Sequence, residues 1–195
     1  MKTKALSLTT PLVQAFIDGP RFGHYPKRET RRLEKSDKPP WKIGEVLWIR
    51  EPAEIFRLIY EDSKEPKCVR LWYPADEEPS AWIDWPKRLK WRPNDTVNER
   101  CPNGVFREGA RHFVRVTHVW KHLLNNMNGF DATNEGVPLR PFDPGLTHAG
   151  HCELLIQDFA EMWDGIYPCR SFLTNPTVWA CRFEPCERPK EETAS

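Results

Sequence analysis

The sequence predicts an α+β fold, a small mixed β-barrel with helices covering its ends and long inserted loops. Three observations predict it. Strand-like alternation recurs over residues 46–51 and 111–118. Apolar residues at helical spacing appear near the start of the chain and again past residue 150. Nineteen prolines in 195 residues favour loops and sheet edges over long helices. The element order reads β-α-loop-β-β-β-α-β, which suits a barrel plugged by helices. Neither a Gly-x-Gly-x-x-Gly nor a P-loop pattern is present, which excludes the usual dinucleotide and P-loop folds.

The first element is ALSLTT, a short strand. Thr10-Pro11 then starts a helix, with proline at the first helical position. Leu12, Val13, Phe16 and Ile17 form its apolar face and Gly19 ends it. PRFGHYP reads as a loop and KRETRRLEKSD as a dense basic stretch, which taken alone is a solvated loop. KIGEVLWIREPAEIF is the clearest strand.

Residues 61–110 read as a long, strand-poor insertion, although VRLWY within it is strand-like. RHFVRVTHVWKHL is a second clear strand, with Phe113, Arg115 and Thr117 on one face and Val114, Val116 and His118 on the other. A helix follows in DPGLTHAGHCELLIQDFAEMWDGIY, and VWACRFEPC closes the fold. Residues 1–187 form a single domain in this reading, and 188–195 are a polar, disordered tail.

Composition narrows the function. Nine Trp and ten Phe supply a real core although only 39% of residues are hydrophobic. Lys and Arg number 29 against 28 Asp and Glu, so a general DNA-coating role is excluded, while a local basic patch or a nucleoside pocket is not. The N-terminal apolar run is too broken for a signal peptide, and no stretch approaches the roughly 20 apolar residues of a membrane span. A cytoplasmic protein without a membrane partner is expected, its six cysteines reduced.

Several segments, in order, resemble the ASCH family of the PUA-like superfamily, and most closely its phage-borne members. Asp18-Gly19 followed by Lys27-Arg28-Glu29-Thr30-Arg31-Arg32 resembles the family's Gly-x-Lys-x-x-x-Arg signature, in its phage form Lys-Thr-x-Thr-Arg-Arg, here with seven residues between Gly19 and Lys27. Gly44-Glu45-Val46-Leu47-Trp48-Ile49-Arg50-Glu51 resembles its Gly-Asp-x-Leu-Trp-Val-Arg-Glu strand. Trp91-Arg92-Pro93, Ala132-Thr133-Asn134-Glu135-Gly136-Val137, Phe159 to Asp164, and Asn175 to Trp179 resemble further family elements. The resemblance implies a PUA-like barrel in a bacterial cytoplasm or a phage-infected host cell. It also implies a polar pocket for a nucleobase or nucleoside.

Some bacterial members are amidohydrolases that deacylate N4-acetylcytidine with a Lys, a Thr three residues later and a distant Glu. Carried over, these are Lys27, Thr30 and Glu135. The chemistry is coherent. A Thr hydroxyl needs a base to take its proton. Lys27 can serve only if burial and nearby cations such as Arg28, Arg31 and Arg32 lower its pKa. Glu135 then hands a proton to the leaving amine or orients the lysine. The alternative is a non-catalytic module binding single-stranded RNA or modified nucleic acid through the same pocket.

Arg32, Arg50, Glu51, Trp48 and Arg111 are the candidate binding residues. Arg50 and Glu51 point to opposite faces of a strand, so one of them faces the pocket. Trp48 reads as core before stacking platform, and Arg111 as a surface arginine or a phosphate or carboxylate ligand. Trp82, Trp85 and Trp91, interleaved with Lys and Arg, either stack bases or pack their loop. His148-x-x-His151-Cys152 and Cys181-x4-Cys186 have compact spacings, but isolated buried thiols explain them more simply, and neither metal nor cofactor is expected.

Overall fold

The computed structural model describes residues 4–18, 26–62, 65–75, 77–86, 89, 99–141 and 143–189. Gly19 and the loop to residue 25, the Trp91-Arg92-Pro93 motif, and most of the polar tail lie outside them. Contacts gather into two compact units, each assembled from separate stretches of chain. The first takes residues 1–13, 46–114 and 186–195; the second takes 14–45 and 115–185.

In the first unit β1 (Lys4–Ser7) runs parallel to β3 (Val46–Arg50), with Leu6 opposite Ile49. The first four residues of β3 are all buried, so it is covered on both faces and does not alternate. Two residues later Pro52, which has no N–H to donate, interrupts the run, and β4 (Glu54–Asp62) starts as a separate strand. It pairs antiparallel with β5 (Glu65–Tyr73), Ile55 opposite Leu71 and Leu58 opposite Val69. β5 also pairs with the two-residue strands β6 (Glu78–Pro79) and β7 (Ile83–Asp84). Val46, Trp48, Ile55, Val69, Leu71 and Tyr73 share one core with Trp85, Phe106 and Phe113.

The strand-poor reading of 61–110 is therefore corrected. Val69, Leu71 and Tyr73 are fully buried while Arg70 and Trp72 between them are partly exposed, a period of two. Register shifts at Ile55/Arg57, Ile59/Tyr60 and Tyr60/Asp62 break the same period in β4, which conceals the hairpin in the sequence. Trp85 packs edge-on against Phe106 in the core while Trp82 is exposed, so Trp85 fastens this segment.

In the second unit β8 (Phe113–Leu123, from Arg115 onward), β9 (Thr177–Cys186) and β2 (Glu29–Leu33) lie side by side in that order. β2 and β9 are antiparallel, with Glu29 opposite Arg182 and Arg32 opposite Trp179. The basic stretch is therefore a strand, not a solvated loop: Glu29, Thr30 and Arg31 are all buried. The first helix, α1 (Thr10–Asp18), sends Phe16 against Phe183 of β9. α2 (Gly129–Asn134) begins with a reciprocal capping box, Asn128 accepting from the Asp131 N–H and Asp131 from the Asn128 N–H. Thr147 caps α3 (His148–Ile166), whose Phe159 and Trp163 pack with Leu124, Met127, Ala132 and Val178.

The fold is thus α+β, but the expected barrel closure is not found. Among the described residues each unit carries open ladders: β5 ends on two strands of two residues each, and the β8–β9–β2 run stops at β2. Strands that short cannot carry a ladder around to a closing partner.

Two glycines test the backbone. Gly44 and Gly104 both have φ of +82°, a conformation that suits residues without a Cβ. A Cβ on Gly44 meets nothing within 4 Å, whereas one on Gly104 lies 2.6 Å from the Glu51 carbonyl oxygen. Gly44→Ala is expected to cost about 1 kcal/mol, the left-handed penalty alone, and Gly104→Ala clearly more. Urea denaturation of the two variants checks the order.

Candidate functional site

Lys27 leads into β2 and its side chain is wholly buried. An ammonium there must spend all three N–H groups on acceptors. It does so: Nζ donates to the Glu29 carbonyl at 2.7 Å, the Glu135 carbonyl at 2.6 Å and Glu135 Oε2 at 2.9 Å. Glu135 caps the C-terminus of α2, which explains why its carbonyl is available. The backbone holds both partners in place. Lys27 N–H donates to the Ala15 carbonyl of α1, and Arg28 N–H donates to the Asn134 carbonyl.

Arg31 completes the cluster. Its Nη1 donates to Glu135 Oε1 at 3.0 Å and lies 3.3 Å from Glu29 Oε2, and Nη2 is 3.7 Å from Asp131 Oδ2. Its Nε donates to His122 Nε2 at 3.2 Å, which requires a neutral ring protonated on Nδ1. Arg182, half-exposed, donates through Nε to Glu29 Oε1 at 2.9 Å. Three cations therefore face three carboxylates.

Burial pushes the Lys27 pKa below its ordinary value, and Arg32 and Arg31 add to this against the pull of Glu135. Burial alone would raise Glu135, but Lys27 and Arg31 outweigh it and hold the carboxyl below the usual range. Burial raises Glu29, partly offset by Arg182 and Arg31. Burial, helped by Arg31, lowers His122.

The structure brings Lys27 and Glu135 together, on elements 108 residues apart in sequence. Thr30 lies in the same strand and is only 1% exposed. No hydrogen bond joins its hydroxyl to Lys27 or Glu135. Arg32 lies at the edge of the cluster and donates to the Arg31 carbonyl. Sequence reasoning treated Arg31 as one local cation among several and missed Glu29, His122 and Arg182. The pairing of Glu29 with Arg182 across two strands leaves no short-range signal.

Trp48, Arg50, Glu51 and Arg111 belong to the first unit. Trp48 is core, with the Arg50 guanidinium 5.1 Å from its ring centroid. Glu51 is fully buried while Arg50 is partly exposed. Arg111 is a carboxylate ligand of this chain's own Glu51: Nη2 donates to Oε2 at 2.7 Å, and its guanidinium stacks 3.8 Å over Tyr73.

Arg50 lines a cavity of about 600 Å³ with Ser7, Thr9, Thr10, Arg100 and Asn103. Among the described residues, neither Arg50 nor Arg100 has a carboxylate partner. His148, His151 and Cys152 share the first turns of α3, but His151 faces the Asp143 carbonyl at 3.1 Å, and no three ligating side chains converge among the described residues. Among the described residues no two cysteines form a disulfide, and burial raises the Cys101 thiol to about 12.

The chain matches no family model and no curated protein. Among solved structures it is similar to an ASCH domain from Lactobacillus crispatus JV V101, at 11% identity and a TM-score of 0.34, over 89% of this chain and 70% of that one. A likeness that slight supports no inference about activity.

The buried cluster makes two predictions. Lys27→Met, which leaves Glu135 and Arg31 with an unbalanced charge, is expected to cost about 3–5 kcal/mol in urea denaturation. Glu135 is held below its unfolded value of about 4.3, so its stabilisation is complete above that pH and is lost as pH falls through the folded value. Stability measured from pH 7 to pH 3 should therefore fall less steeply in Glu135→Gln than in the parent.

Proposed function

We propose that the protein is an ASCH-type module that binds single-stranded RNA without chemically altering it. The family rests on the ordered motifs from Lys27 to Trp179. The single observation that supports binding is the cavity in the first unit. Arg50 and Arg100 line it, without a carboxylate partner among the described residues, beside the hydroxyl-bearing Ser7, Thr9 and Thr10. Guanidinium forks and hydroxyl donors suit phosphate oxygens. The chain's near-zero net charge limits this to a few phosphates, not a long electrostatic track.

The geometry of Lys27 and Thr30 favours binding over catalysis. A nucleophile must reach its substrate, and both side chains are sealed from solvent. Lys27 has no hydrogen-bonding capacity left for the Thr30 hydroxyl. One observation favours the hydrolytic reading: the lowered pKa of Lys27, the direction a general base needs.

Fluorescence anisotropy with a labelled oligouridylate separates the readings. Two phosphate contacts give a slope of log affinity on log salt near −1.4, and Arg50→Ala should flatten it by about 0.7. Binding indifferent to salt, to Arg50→Ala and to Arg100→Ala sinks the proposal. Incubation with N4-acetylcytidine should release no acetate. Acetate released by the parent but not by Thr30→Ala would establish the hydrolase instead.

A further inference from the structure

The second unit carries a cavity that the reading above leaves unused. It measures about 390 Å³ and is lined by Arg32, Leu33, the 35–40 segment, Tyr167 and Trp179. Its floor is aromatic and its rim is basic.

The floor is held in place. Trp179 Nε1 donates to the Ser36 carbonyl at 3.1 Å. The Tyr167 ring packs tilted at 41° against Trp163, 4.4 Å between centroids, and Trp163 is a buried residue whose own Nε1 donates to the Arg170 carbonyl at 2.8 Å. The segment over the floor is also fastened. Glu34 N–H donates to the Thr177 carbonyl, Pro39 and Pro40 restrict the backbone, and Trp41 is buried beyond them. A preformed floor and rim lower the cost of ordering a ligand.

The charge distribution is one-sided. Glu34 and Asp37 are both engaged by Lys121, whose ammonium lies 5.7 Å from the Trp179 centroid. Lys35 and Lys38 are exposed and have no carboxylate partner among the described residues. An aromatic floor asks for a planar ring, and two unclaimed ammonium groups ask for an anion attached to it. The volume lies at the small end of the usual range for ligand sites, which suits one nucleotide better than a longer segment.

We propose that this cavity binds a single nucleotide, its base stacked on Trp179 and its phosphate held by Lys35 and Lys38. The shared chemistry fits a free mononucleotide or the 5′-phosphorylated end of a strand. Its lining residues all belong to the second unit, and those of the Arg50–Arg100 cavity all belong to the first.

Equilibrium dialysis tests it with adenosine, AMP, and a tetra-adenylate with and without a 5′-phosphate. AMP should bind about tenfold tighter than adenosine or more. Lys35→Gln combined with Lys38→Gln should erase that difference while leaving adenosine binding as it was. Trp179→Ala should weaken AMP by about tenfold or more, with the fold checked by circular dichroism. The tetra-adenylates are compared in the Arg50→Ala, Arg100→Ala background, so that strand binding at the other cavity does not contribute to this test. If only AMP binds, the ligand is the free nucleotide; if the phosphorylated tetramer binds alike, it is a strand end. No AMP binding at millimolar concentration, or equal affinity for AMP and adenosine, overturns the proposal. So does a folded Trp179→Ala that binds AMP normally.

Discussion

A buried ammonium has no solvent to fall back on, and much of the second unit is arranged around satisfying Lys27. Two of its three acceptors are main-chain carbonyls, one at the start of β2 and one at the end of α2. Those contacts fix where the helix stops relative to the strand, independently of side-chain packing. The third, the Glu135 carboxylate, draws in Arg31, which draws in Glu29 and Asp131, and Glu29 holds Arg182 on the neighbouring strand. Each added charge answers the desolvation of the one before it. Such a cluster is a weak source of net stability but is unforgiving of the loss of any member. It specifies one arrangement of β2, β9 and α2 in a region where apolar packing alone would tolerate several.

This arrangement separates structure from recognition. The residues with the most suggestive chemistry, Lys27, Thr30 and Glu135, are the least accessible. On the proposed reading, the residues that meet a ligand are Arg50 and Arg100 in one unit and Lys35, Lys38 and Trp179 in the other. The two cavities differ in kind. One is lined by hydroxyls and guanidinium groups and suits phosphate oxygens; the other has an aromatic floor and suits a flat ring.

The sequence carried the longer elements. β8, β9, α1 and α3 were legible because each runs nine to nineteen residues, long enough to show an apolar pattern, and the Thr10-Pro11 start marked α1. The β4–β5 hairpin was not, because three register shifts scramble its alternation. α2 was missed although Asn128 and Asp131 spell its capping box, since six residues are too few to show a helical repeat. KRETRR looked like a solvated loop because composition records charge, and only tertiary pairing reveals that the charges are buried. At the candidate site, the joining of Lys27 to Glu135 followed from family resemblance. Glu29, His122 and Arg182 did not, because cross-strand neighbours have no fixed offset in sequence. Closure into a barrel was inferred from element order, which says nothing about whether the last strands are long enough to meet.

The division of the chain bears on how the protein is made. Neither unit is a continuous stretch: the path leaves the first after residue 13, returns at 46, leaves again after 114 and comes back at 186. In the second unit, β9 lies between β8 and β2 in the sheet, yet it is the last of the three to emerge from the ribosome. Until it does, β2 has no neighbouring strand among the described residues, and its Glu29 and Arg31, with Lys27 just before it, remain hydrated. Assembly of that unit therefore waits for β9 and is dominated by pairings between distant residues. Such topologies fold slowly and leave unpaired edges exposed while they wait. In the interim the charged residues of β2, destined for burial, serve a second purpose, because charge on an unpaired strand discourages association with other nascent chains.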